Sequence, residues 1–105
     1  MRKSETSIQN SIRISLSQKG CIVHRANVGL FYTPDGRMIH IGEAGHSDLY
    51  GHRPKDGKAF YIETKTPIGR LTDEQKRFLR AMQESGAIAG VARTIDDANQ
   101  IVFGG

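Results

Sequence analysis

The apolar positions near the start of the chain recur with helical spacing. Ile8, Ile12 and Leu16 fall at i, i+4 and i+8, which makes one stripe on one face. Ser4 is a suitable N-cap, Glu5 suits the first turn, and Gly20 is a natural stop, so a helix is predicted between them. The pattern then changes to strands. Cys21 to Ala26 reads as the first. Asn27 to Gly45 is glycine-rich and irregular. Within it, Pro34-Asp35-Gly36 is a turn signal between Leu30-Phe31-Tyr32 and Met38-Ile39-His40-Ile41, a candidate hairpin.

Ser47 to His52 reads as a short strand, Lys55-Asp56-Gly57-Lys58 as a turn, and Ala59 to Lys65 as a strand rich in aromatic and β-branched residues. Pro67 and Gly69 break it. Thr72 followed by Gln75 is a capping box, which opens a helix carrying Phe78, Leu79 and Met82 and ending near Gly86. Ala87 to Arg93 reads as the last core strand. Thr94 to Ala98 starts a short helix, and Ile101-Val102-Phe103 closes the chain. The order α-β-β-β-α-β predicts an α/β fold, a mixed sheet with helices packed on it. No internal repeat, low-complexity segment or linker is visible.

Composition narrows this picture only a little. At 105 residues the chain fits one domain, 1–105, whose modest core a dimer partner would help. With 37% hydrophobic and 25% charged residues it is an ordinary globular sequence. A net charge of +4 and a pI near 9.5 suit a polyanionic partner such as nucleic acid. The one cysteine, Cys21, sits in an apolar run and reads as a buried strand thiol. No apolar stretch approaches the ~20 residues that span a membrane, and the N-terminus lacks the apolar core of a secretory signal. A cytoplasmic protein is therefore expected.

Chemistry concentrates on two successive strands. Glu63 and Lys65 are two apart, so they share a strand face. The turn at Lys55–Lys58 folds the strands antiparallel, which brings Asp48 within reach of them. Two converging carboxylates repel unless a cation or proton joins them. A hard cation such as Mg²⁺ suits oxygen ligands; it acidifies water and stabilises charge on a phosphoryl oxygen. A solvated Glu-x-Lys pair is the plainer reading. Against it, Phe60-Tyr61-Ile62 places Glu63 in a core strand, where a charge seldom sits without a partner or a task.

Gly45-His46-Ser47-Asp48, then Glu63-Thr64-Lys65, then Gln75 on the next helix resembles the PD-(D/E)xK nuclease superfamily. More narrowly it resembles the virus-type replication-repair nuclease (VRR-NUC) family. Glu5 and Arg25-Ala26-Asn27-Val28-Gly29 match that family's pattern as well. Ser47 stands where the superfamily's name has proline. The resemblance implies a restriction-endonuclease-like core, with Asp48, Glu63 and the Thr64 carbonyl as metal ligands. Lys65 would act on the attacking water, Glu5 would approach the metal through a water, and Gln75 would lie near Lys65 or the phosphate.

Several of these residues have a second reading. Gln75 also completes the capping box, and one amide is expected not to serve both roles fully. Glu5 also favours a helix N-terminus. Arg25 and Asn27 share a strand face and either contact phosphate or are solvated. Arg70, Lys76, Arg77 and Arg80 flank the second helix, where they would track a DNA backbone or simply form its polar face. None of His24, His40, His46 and His52 has paired metal-ligand spacing; His46 is the one expected beside the site.

The expectation is thus a Mg²⁺-dependent DNA endonuclease, with Mn²⁺ as a substitute. The family resemblance implies a dimeric, Holliday-junction-resolvase-like enzyme of phage or bacterial DNA replication and repair. A restriction-type or general endonuclease is one rival. A non-catalytic DNA-binding module is another.

Overall fold

The structure is a computed structural model that describes residues 4–26, 29–42 and 44–104, with the backbone alone for 29–31 and 39–41. Helix α1 spans Glu5–Gln18. Ser4 caps it, its hydroxyl accepting from the Ser7 amide at 3.1 Å. The stripe Ile8, Ile12 and Leu16 is buried, as the spacing predicts. Gly20, at φ +90°, reverses the chain out of the helix.

Strands β1 (Ile22–Arg25), β4 (Leu49–His52), β5 (Ala59–Thr64) and β6 (Ile88–Ala92) form one sheet in the order β1-β4-β5-β6. The first three pair antiparallel. β6 joins β5 in parallel after the crossover helix α2, Asp73–Glu84. At Gly51 the backbone of β1 comes so close that a Cβ would lie 1.8 Å from the Ile22 carbonyl oxygen, so this position of β4 requires glycine. The candidate hairpin forms as β2 (Gly29–Tyr32) and β3 (Met38–Ile41), but as a separate two-stranded sheet. Gly36, at φ +87°, makes its turn.

Helices cover both sheet faces. Phe60 and Ile62 of β5 and Leu49 of β4 pack with Ile8, Ile12 and Leu16 of α1. Ala98 and Val102 join that core from helix α3, Ile95–Phe103. Tyr61 alternates to the opposite face, where it meets Phe78 of α2 edge-on at 5.7 Å between ring centroids. No helix of the described residues is long and apolar enough to cross a membrane.

Two sequence expectations shift at their ends. The short helix predicted from Thr94 continues to Phe103. Thr94 caps it by accepting from the Asp97 amide at 3.0 Å, and Ala98 and Val102 supply its buried face. The strands of the site also begin or end slightly inside their predicted limits: Asp48 precedes β4 and Lys65 follows β5. The ladder nevertheless runs on, since the Lys65 amide donates to the Ala92 carbonyl at 3.1 Å.

Candidate active site

Glu63, near the end of β5, is only 1% exposed. Its Oε1 accepts from Gln75 Nε2 at 3.1 Å and lies 4.0 Å from Lys65 Nζ. Its Oε2 is buried and has no hydrogen-bond partner among the described residues. Burial pushes the Glu63 carboxyl up to about 8. The charges of Asp48 and Glu5 push the same way, and the Lys65 ammonium opposes them.

Asp48 is oriented from across the sheet. Its Oδ2 accepts from the Thr64 amide at 2.9 Å and from the Thr64 hydroxyl at 2.7 Å. Charge-assisted bonds of this kind fix a carboxylate's direction. Both fall on Oδ2, so Oδ1 is left for another partner. Glu5 comes from the exposed first turn of α1. One carboxylate oxygen from each of Glu5, Asp48 and Glu63 lies within 4.8 Å of the others.

These residues fit a hard divalent cation. A buried, unpaired carboxylate oxygen costs at least about 1–3 kcal/mol, and a proton or a cation relieves it. The donor set is all oxygen and converges from separate elements, which suits Mg²⁺ or a similar ion.

Gln75 corrects the expectation that its two roles exclude each other. Its Oε1 accepts from the Thr72 amide at 2.9 Å, closing the capping box, while its Nε2 reaches Glu63. A primary amide carries a separate acceptor and donor, so the cap coexists with a bond to Glu63. Thr72→Ala and Gln75→Ala are each expected to lower stability by about 1 kcal/mol through the lost cap. Only Gln75→Ala should also weaken metal binding, by freeing Glu63. Thermal melts paired with Mn²⁺ titration check this; equal metal affinity in the two variants would confine Gln75 to capping.

The remaining predicted residues are more dispersed. Arg25 is exposed at the end of β1, and Arg70, Lys76 and Arg77 are exposed on the β5–α2 loop and α2. Among the described residues none of the four pairs with a carboxylate. Asn27 lies outside the described residues. His46, among the described residues, makes its ring contacts with aromatic side chains. It packs within 4.5 Å of Phe78 and 5.4 Å of Tyr50, ring to ring, and serves the contact of α2 with the sheet.

Three residues escaped the sequence reading. The Thr64 side chain holds Asp48, although only the Thr64 carbonyl was singled out. Arg53 is buried and ties the β4–β5 turn to α3, through paired bonds to Asp56 and a 2.7 Å bond to the Val102 carbonyl. Arg93 reaches the loop after β5. An isolated arginine at a strand end carries no sequence signal of such a contact.

A carboxylate just before β4, a second within β5 and a lysine just after β5 make the arrangement of PD-(D/E)xK nuclease domains. The chain belongs to the VRR-NUC domain family, whose model matches residues 3–95. A solved structure described as a VRR_NUC domain shares the fold, with TM-score 0.68 and 17% identity over 93% of this chain and 92% of that one. Comparison with curated proteins gives no match. Membership implies a nuclease of the PD-(D/E)xK type, with DNA as its substrate.

Proposed function

We propose that the chain is a metal-dependent endodeoxyribonuclease that cuts branched DNA, with a four-way junction as the preferred substrate. The observation that carries the reading is the buried carboxylate of Glu63, its Oε2 without a partner, clustered with those of Asp48 and Glu5 beside Lys65. Asp48, Glu63 and the Thr64 carbonyl would hold Mg²⁺, or Mn²⁺ in its place, with Glu5 reaching it through a water. The cation supplies water acidification and charge neutralisation at the phosphoryl group. Lys65 steers the attacking water and offsets charge on the pentacovalent phosphorus. Gln75 holds Glu63 in place, and Arg70, Lys76, Arg77, Arg25 and Asn27 contact phosphates away from the scissile bond.

A small single domain that cuts a four-way junction symmetrically needs two sites, which a C2 homodimer supplies. A phage or bacterial chain would work in the cytoplasm during replication or repair. The test is a cleavage panel of junction, flap and linear duplex with Mg²⁺, Mn²⁺ or EDTA, and Lys65→Ala as control. Junction cleavage at least about tenfold faster than duplex cleavage, abolished by EDTA, is expected. Equal rates on all three would favour a general endonuclease. DNA binding without cleavage in either metal would favour a non-catalytic module. Light scattering on free and DNA-bound protein checks the dimer.

A further inference from the structure

Lys65 is buried, yet its ammonium sits on a flexible four-carbon stem, and β5 offers it one contact, the Glu63 Oε1 at 4.0 Å. The loop that follows runs beside the stem. Gly69 neighbours the stem: a Cβ added there would come into van der Waals contact with Lys65 Cδ at 3.4 Å and would crowd Thr66 Oγ1 at 3.2 Å. The Gly69 amide closes a turn on the Thr66 carbonyl at 3.1 Å. Pro67 and the exposed Ile68 give this turn little else to hold it.

The anchor comes from the neighbouring strand. Ala92 is level with Thr64 in the parallel ladder, so Arg93 emerges beside Lys65. One Arg93 nitrogen, Nη1, donates to the Thr66 carbonyl and, at 2.7 Å, to the Gly69 carbonyl. The Arg93 amide is itself tied to Asp97 of α3 at 2.9 Å. Among the described residues no carboxylate pairs with its guanidinium. A half-buried cation is thus committed to two loop carbonyls, which charge-assisted bonds make a firm clamp.

We infer that Arg93 is a positioning residue: by clamping the Thr66–Gly69 turn from β6, it holds that turn beside the Lys65 stem and so limits where the ammonium can point. The catalytic consequence rests on the nuclease reading above, whereas the effect on Lys65 does not. Lysine has one point of charge, so its aim depends wholly on the stem, and a displacement of about 1 Å at a reacting group costs roughly a hundredfold in rate.

The experiment uses the full chain with Arg93→Ala and Arg93→Lys, plus Glu84→Ala, exposed in the last turn of α2, as a surface control. ¹³C-lysine NMR reads the two εCH₂ proton shifts of Lys65, which differ when the side chain is held. In metal-free protein these shifts should be distinct in wild type and Glu84→Ala. They should collapse together in Arg93→Ala and stay distinct, though reduced, in Arg93→Lys. On DNA, kcat should fall about 10- to 100-fold in Arg93→Ala, with KM and Mn²⁺ affinity within about twofold. Unmoved Lys65 shifts in a folded Arg93→Ala would overturn the clamp. A loss confined to KM, with a shallower salt dependence, would also overturn it and make Arg93 a phosphate contact. If wild type cuts no DNA, the nuclease reading fails while the NMR result still decides the clamp.

Discussion

Asp48→Asn and Lys65→Ala are each expected to lower DNA cleavage by about a thousandfold or more while the protein stays folded. Asparagine is chosen at 48 because of what Thr64 does there. The Thr64 amide and hydroxyl both donate to Asp48 Oδ2. Alanine would leave two donors unmet inside the sheet, at about 1–3 kcal/mol each. Asparagine keeps a carbonyl oxygen for Thr64 and removes only the charge that a cation requires. Mn²⁺ titration should therefore show weakened binding in Asp48→Asn and near-normal binding in Lys65→Ala, whose ammonium is no ligand. A folded Asp48→Asn that still cuts at the wild-type rate would remove Asp48 from the site.

The second large effect concerns Glu63 and has opposite signs for activity and stability. With its carboxyl raised from 4.5 to about 8, Glu63 holds its proton more tightly folded than unfolded. Metal-free stability should thus be full below about pH 4.5, fall as the pH rises, and level off above about pH 8. Glu63→Gln removes the buried charge and keeps a side chain of the same shape. The variant should match wild type near pH 4.5 and exceed it at pH 9 by about 1–3 kcal/mol, several degrees in Tm for a domain of this size. Mg²⁺ should then raise the wild-type Tm and not the variant's, because only the carboxylate gains a partner. Cleavage by Glu63→Gln should fall by about a thousandfold. Coincident melting curves across this pH range would mean that Glu63 ionises like an ordinary surface carboxylate.

Both predictions depend on features of unequal visibility in the sequence. The pairing of Glu63 with Lys65 was legible because strand alternation acts over two residues. The candidate hairpin and both helix starts were legible for a similar reason: Pro34-Asp35-Gly36 and Thr72 with Gln75 are local chemistry. The end of α3 was harder to see, since the helix depends on docking Ala98 and Val102 against α1 and the sheet. Gln75 was half legible. Its cap is a contact three residues back, whereas its bond to Glu63 requires α2 to lie on the β5 face.

The sequence by itself therefore determined the α/β order, the stripe that buries α1, and a carboxylate and lysine that share one strand face. Motif order across the chain pointed to the nuclease family, which the family match then bore out. Only the tertiary structure decided that Asp48 is held by Thr64, that Glu5 reaches the carboxylates from α1, and that Glu63 Oε2 is buried without a partner. It also brought Arg93 over the turn beside Lys65. The physical reason is range. Periodicity and capping act within a few residues, whereas the site depends on the register of β4, β5 and β6 and on which atoms packing shuts away from water.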